Sequence, residues 1–154
     1  MFVLLIGLAI VLLDQITKQW IRTAFTYADD SLPVIDGFFN LVHVRNDGAA
    51  WNMLGGHGLV LILISVAALV LLFIYRRSFL EEQVSHKILL GLMVGGIIGN
   101  LIDRIRIGWV TDFLDFHIGT HHWPAFNVAD SAICIAAGLY IITNLLQKKE
   151  LEDG

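Results

Sequence analysis

Asp14, Asp103, Asp112, Asp115 and Asp130 all stand in or beside long apolar stretches of the chain. A carboxylate inside a membrane span costs a few kcal/mol even on lenient insertion scales, so each needs a partner or a task. Asp14 and Lys18 are four apart, the spacing of an ion pair on one helix face. The functional alternative has this pair hold the outer end of its helix against a site. Gly96, Asn100 and Asp103 follow one another at steps of four and three and project the same way from one helix. Beside them Gly91, Gly95 and Gly99 make two overlapping GxxxG steps, a face for close helix approach. Asn100 can hydrogen-bond across a bundle, and Asp103 can pair with Arg104 or Arg106. The planar fork of Arg104 suits a carboxylate or a loop carbonyl.

Asp112 and Asp115 flank Phe113 and Leu114, and Asn127 and Asp130 open a further apolar run. That run starts as a helix either with Pro124 at its first position or with Asn127 as cap and Asp130 three later. Asp103, Asp112, Asp115 and Asp130 gather at one membrane boundary, with only Arg104 and Arg106 near them in sequence. Unpaired carboxylates in a poorly hydrated place are candidates for a pair that shares one proton. Other chemistries fit less well. His117 and His121 have zincin-like spacing with His122 alongside, but position 118 is Ile where a glutamate is needed, and Ile118-Gly119-Thr120 is a poor helix former. No metal is expected. Ser131 follows Asp130 without a G-x-S-x-G turn or a lysine partner. Cys134, the only cysteine, has apolar neighbours and reads as a buried thiol.

The elements that must position these groups follow from composition. The chain has 154 residues, 56% hydrophobic and only 16% charged, against about 25% charged in a typical soluble domain. Its mean hydropathy is +0.73. A net charge of −4 leaves no basic footprint for nucleic acid. The fold class expected is an all-α integral membrane protein, one domain over 1–154, with four transmembrane helices at about 2–25, 59–75, 88–104 and 125–146. The first stretch lacks a basic leader and a small-residue cleavage site and reads as a retained span. Residues 26–58 alternate in polarity and carry turn residues, as a small β-like element at the membrane surface does. The outer loop 106–123, with Trp109, Phe113, Phe116 and Trp123, reads as an interfacial segment.

Leu13-Asp14-Gln15-Ile16-Thr17-Lys18, Arg45-Asn46-Asp47-Gly48-Ala49-Ala50-Trp51, Gly95-Gly96-Ile97-Ile98-Gly99-Asn100-Leu101-Ile102-Asp103-Arg104, Gly108-Trp109-Val110-Thr111-Asp112-Phe113 and Pro124-Ala125-Phe126-Asn127-Val128-Ala129-Asp130-Ser131 resemble, in order, the motif blocks of the lipoprotein signal peptidases, or type II signal peptidases. Trp51 stands where that family more often has Phe. The resemblance runs from Leu13 to Leu146. It implies a monomeric aspartyl peptidase of the bacterial cytoplasmic membrane, without a cofactor. Such an enzyme cuts the signal peptide from a prolipoprotein just before the diacylglyceryl-modified cysteine, with its substrate and membrane lipid as partners. By the same resemblance Asp112 and Asp130 are the catalytic acids, and Asp14, Lys18, Asn46, Gly48, Gly96, Asn100, Asp103, Arg104, Asn127 and Ala129 support them or touch substrate. Asp115 lies outside the matched positions. An ion or proton carrier would also bury Asp103 and Asp130, but the inner halves of spans two and three offer it no acid. A structural four-helix subunit would account for the glycines and not for the outer acids.

Positive charge orients the bundle. Arg76, Arg77 and Lys87 lie between spans two and three and Lys148 and Lys149 in the tail, against Arg45 and Arg106, with Arg22 and Arg104 near the opposite boundary. Both termini should be cytoplasmic and the site near the outer face. Reporter fusions should then show cytoplasmic activity after Leu80 and extracytoplasmic activity after Thr120. The reverse pattern overturns the orientation and the placement of the site with it.

Overall fold

The computed structural model describes residues 1–80 and 84–153. Helix α1, Phe2–Ala24, buries only Gly7, Asp14, Lys18 and Ile21. These fall at steps of seven, four and three, one stripe along the helix. Much of the rest of its surface, including Leu4, Leu8, Leu12 and Ile16, is exposed and apolar, and only its C-terminal half carries the polar Gln15, Gln19, Arg22 and Thr23. An exposed apolar helix surface of this kind belongs in lipid. Helix α2, Gly58–Ile74, is uncharged and buries only Leu61; the short α3, Arg76–Leu80, follows it. Helix α4, Val84–Ile107, is the most buried, and it packs against α1, α2, α3 and α5, the last running Val128–Asp153. Helices α1, α4 and α5 (through Leu146) are long and apolar enough to cross a membrane, whereas α2 has 17 residues.

Glycines make the contacts around α4 possible. A Cβ on Gly95 would stand 2.7 Å from the Gly7 carbonyl oxygen and 2.9 Å from the Ile10 Cβ. A Cβ on Gly96 would stand 2.5 Å from the Ala129 carbonyl oxygen. Gly95 therefore seats α1 and Gly96 seats α5, on adjoining faces of one helix.

Two helix starts differ from the sequence expectation. Helix α4 begins at Val84 instead of residue 88, which places Lys87 in its first turn and not in a loop. Residues 81–83 and the side chains of Lys148 and Lys149, which entered the charge count, lie outside the described residues. Helix α5 begins at Val128 instead of residue 125. The cause is strand-like bonding just before it: Phe113 and Leu114 donate their amides to the Phe126 carbonyl, and Phe126 donates back to Leu114.

The expected interfacial loop after α4 is a strand. Strands β1, Ser31–Ile35, β2, Phe39–Asn46, β3, Val110–Ile118, and β4, His121–His122, form one antiparallel sheet in the order β1-β2-β3-β4. β2 and β3 come from the two outer segments and pair with Val44 opposite Asp112, Arg45 opposite Thr111 and Asn46 opposite Val110. A register shift lies between Leu41 and Val44. Val110, Thr111, Phe113, Phe116 and Ile118 are the β-branched and aromatic residues that suit a pleated, half-buried surface.

Gly95→Ala should lower stability by about 1–3 kcal/mol, the usual cost of an overpacked contact, because only backbone and a Cβ face the added methyl. Gly138 in α5 has nothing within 4 Å of a built Cβ, so Gly138→Ala should be neutral or slightly stabilising. Thermal unfolding of the two variants in one detergent checks the contrast.

Candidate active site

Construction starts at a fully buried lysine. Lys18 Nζ lies 2.8 Å from Asp14 Oδ2 and 3.3 Å from Asp103 Oδ2, and donates to Asn100 Oδ1 at 2.9 Å. An ammonium has three N–H donors, and three oxygens surround this one. Gln15 Nε2 adds contacts to Asp14 Oδ2 at 3.2 Å, Asp103 Oδ1 at 3.2 Å and the Gly99 carbonyl at 3.1 Å. Arg22 Nη1 lies 3.5 Å from Asp103 Oδ1 and donates to Thr111 Oγ1 at 3.0 Å. The partners expected for Asp103, Arg104 or Arg106, are thus replaced by cations of α1. Arg104 turns the other way and donates to the Gly48 carbonyl at 3.0 Å, and Arg106 is exposed.

Each buried carboxylate also reaches outward, Asp14 through its other oxygen and Asp103 through the same Oδ2 that faces Lys18. Asp14 Oδ1 accepts the Ala129 amide at 3.0 Å, and Asp103 Oδ2 accepts the Thr111 amide at 3.1 Å. Ala129 and Thr111 are the residues immediately before Asp130 and Asp112. Asn100 Nδ2 donates to Asp130 Oδ1 at 2.6 Å. Asn127 caps α5 reciprocally: its Oδ1 accepts the Asp130 amide at 3.0 Å while Asp130 Oδ2 accepts the Asn127 amide at 3.2 Å. Of the two starts open in the sequence, this is the Asn127 cap. Asp130 is the third helical residue, about 4.5 Å along the axis at ~1.5 Å per residue. Asn127 Nδ2 also donates to Asp112 Oδ1 at 2.7 Å, and Asn46 Nδ2 donates to Asp112 Oδ2 at 2.9 Å. One asparagine therefore bonds both acids.

Asp112 and Asp130 line one cavity of about 810 Å³, whose wall also includes Arg45, Trp51, Arg104 and Trp123. Asp112 is 1% exposed. Burial, and then the nearby charge of Asp130, push its pKa up from 3.8 to about 7, against the opposing pull of the Asn46 and Asn127 hydrogen bonds and of Lys18.

Asn46 and Gly48 are tied into the acid site by their own hydrogen bonds. The Asn46 amide is spent on Asp112, its Oδ1 accepts the Gly48 amide at 3.0 Å, and the Gly48 carbonyl is held by Arg104. A Cβ on Gly48 would stand 2.7 Å from Asn52 backbone, so this tight turn requires glycine. Gly96 and Ala129 are packing positions between α4 and α5. Asp115 lies outside the cavity, bonded by Asn40 at 3.1 Å and paired with His122 at 2.8 Å. His117 stacks on His122 with centroids 4.7 Å apart, and among the described residues no three His, Cys, Asp or Glu side chains are grouped to hold a metal ion. Cys134 is exposed, contrary to expectation, and lies on the cavity wall one turn beyond Asp130. Gln15, Arg22 and Thr111 were not singled out by sequence reasoning for the site. A signal existed: Arg22 continues the Asp14, Lys18 stripe by another four residues.

A family model described as Signal peptidase (SPase) II matches residues 6–146. The chain is 42% identical to the lipoprotein signal peptidase of Syntrophus aciditrophicus over 155 residues, covering 97% of this chain and 94% of the relative. It is 37% identical to that of Bacillus pumilus over 154 residues, covering 100% and 99%. A solved structure described as a bacterial membrane enzyme superposes with a TM-score of 0.87 at 34% identity, covering 96% of this chain and 90% of that one.

Isotope-edited infrared titration should show one aspartate losing its proton at about pH 7. The band should vanish in Asp112→Asn and move to lower pH in Asp130→Asn, where the repelling charge is gone. A band confined to the ordinary carboxylate range would contradict the burial described here.

Proposed function

The chain belongs to the signal peptidase II family, and from that premise we propose that Asp112 and Asp130 are the acids with which it removes signal peptides from prolipoproteins. It is an aspartic-type peptidase of the membrane. The observation that carries the assignment is the convergence of these two carboxylates on one cavity, Asp112 bonded by the Asn127 side chain and Asp130 by the Asn127 backbone amide. Two acids in a poorly solvated site do not both ionise cheaply, so one keeps a proton. The ionised partner takes a proton from water as it attacks the peptide carbonyl. The protonated partner donates toward the carbonyl oxygen and then assists departure of the amine. The pair titrates as a unit. With Asp112 losing its proton at about pH 7, the singly protonated pair is present below that pH, and cleavage should decline as pH rises through it.

In this reading the cut falls just before the diacylglyceryl-modified cysteine, and the acyl chains stay in lipid while the peptide enters the cavity from the side. Helix α2 is then a fourth span: its 17 residues meet the lower limit of about 17 for crossing a bilayer core, and its apolar surface has only lipid to cover it. Both termini face the cytoplasm of a bacterial cell and the acid pair faces outward, in a monomer. Asn46, Gly48, Gly96, Asn100, Asp103, Arg104, Asn127 and Ala129 act through position, as do Asp14 and Lys18.

Asp112→Asn and Asp130→Asn should each retain fold and substrate binding and lose nearly all turnover, since Asn neither takes nor gives the proton. The double variant should be scarcely worse than either, because the two act as one unit. Cleavage of a diacylglyceryl-modified precursor by purified protein in detergent measures this, with an unmodified precursor as control. Near-normal turnover by either single variant, or inhibition by a chelator that zinc reverses, would overturn the assignment.

A further inference from the structure

Side chains alternate between the faces of a strand, so β3 carries Asp112, Leu114, Phe116 and Ile118 on one face. The register shift against β2 puts three steps, Leu41 to Val44, opposite two, Leu114 to Asp112. The extra residue is thus in β2, and the alternation along β3 is unbroken. On the other side His121 pairs with Ile118 and His122 with His117, and the Trp123 amide donates to the Phe116 carbonyl at 2.8 Å. Trp123 therefore stands opposite Phe116, on the Asp112 face. It is a wall of the cavity that holds the acid pair, where its ring meets that of Trp51 at 5.4 Å. It is equally a wall of a second, shallower depression of about 300 Å³, with Phe38, Phe116, Ile118 and His121. Stacking of Phe116 on Phe39 and Phe126, with centroids 4.6 and 5.7 Å apart, fixes the floor, while Phe38, Ile118 and Trp123 stand exposed.

One apolar track thus runs from the acid pair along a single face of the sheet, with Trp123 joining its two hollows. Its direction follows from the walls at either end. Ile133 and Cys134 line the cavity from α5, beyond Asp130 and inside an apolar span, where the membrane segment of a precursor belongs. The sheet end lies the other way: β3 begins three residues past the end of α4 and leads away from it. The polypeptide that follows the cut has to leave on that side. Phe116 and Ile118 are four and six residues along β3 from Asp112, about 13 and 20 Å at ~3.3 Å per residue, and an extended substrate covers those distances in the same number of residues. We propose that the depression walled by Phe38, Phe116, Ile118 and Trp123 is a substrate subsite for an apolar side chain of the polypeptide four to six residues after the cut, and that it ranks precursors by that side chain. This rests on the peptidase reading above and adds a determinant of substrate choice to it.

The test uses the full-length protein in maltoside detergent with two diacylglyceryl-modified precursors, identical except for leucine or serine at the fourth to sixth residues after the cut. The leucine precursor should have a KM about fivefold lower, the scale of partly burying one aliphatic side chain, with kcat within about twofold. Phe38→Ser combined with Ile118→Ser should remove most of that difference and leave the KM of the serine precursor unchanged, since neither residue lines the acid cavity. If the double variant fails to fold, Ile118→Ser alone, at a position 75% exposed, provides the reading. A wild type with one KM for both precursors, or a difference confined to kcat, overturns the proposal. So does a folded variant that keeps the difference, or one that raises KM equally for both precursors, which would make this face a seat in lipid. Equal cleavage of the two precursors by wild type defeats this inference alone, whereas a wild type that cleaves neither defeats the peptidase reading as well.

Discussion

The ammonium of Lys18 is the point from which the site is laid out. It is fully buried, and its contacts are Asp14 on its own helix and Asp103 and Asn100 on α4. Each of these three then reaches a different part of the acid pair: Asp14 through the amide before Asp130, Asp103 through the amide before Asp112, and Asn100 through the Asp130 carboxylate. A buried ion pair contributes little net stability against an apolar replacement, but removing one partner costs about 3–5 kcal/mol because a charge is stranded. The network therefore works as a specification of geometry: α1, α4, α5 and β3 can satisfy their polar groups in only one mutual arrangement.

That arrangement demands close approach of backbones, which explains why the glycines lie where they do. A Cβ on Gly99 would stand 2.6 Å from Asp14 Oδ2, so the small residue leaves room for the carboxylate that takes the Lys18 charge. Gly95 and Gly96 seat α1 and α5 on adjoining faces of α4. The packing face and the polar stripe of α4 are thus interleaved, one turn apart, and neither functions without the other.

Much of this was legible because membrane burial makes polar residues conspicuous. The Asp14, Lys18 pairing and the glycine face of α4 follow from spacing on a helix, where residues three and four apart share a face, while the Asn127 cap was one of two starts that spacing left open. What spacing could not supply was contact between elements distant in sequence. Asp103 was expected to find Arg104 or Arg106, its neighbours in the chain, yet across the helix interface Lys18 and Arg22 are nearer. Strand β3 was read as an aromatic interfacial loop because its partner, β2, lies some seventy residues earlier, with α2 and α4 between. The Val110–Ile118 run carries β-forming residues, but without sight of that partner, aromatics at a membrane boundary have an equally good interfacial explanation. Cys134 was misjudged for a related reason: apolar neighbours in a spanning helix signify lipid contact as readily as burial.

The two carboxylates come to the cavity from different environments. Asp130 enters on the first turn of a spanning helix, and Asp112 on a strand of the surface sheet, so the pair spans the join between bundle and sheet. The join is bonded from both helical sides: Asp103 and Arg22 hold Thr111, Phe126 clamps to Phe113 and Leu114, and the next residue, Asn127, bonds both acids. Helix and strand therefore meet within one residue of the capping asparagine, and a displacement of the sheet relative to α5 cannot occur without breaking bonds to an acid. A hydrolytic pair needs water from one side and a low-polarity setting that keeps one proton in place from the other. In the proposed reading one acid from each structure makes up such a pair, Asp130 on the first helical turn of α5 and Asp112 on the strand beside it.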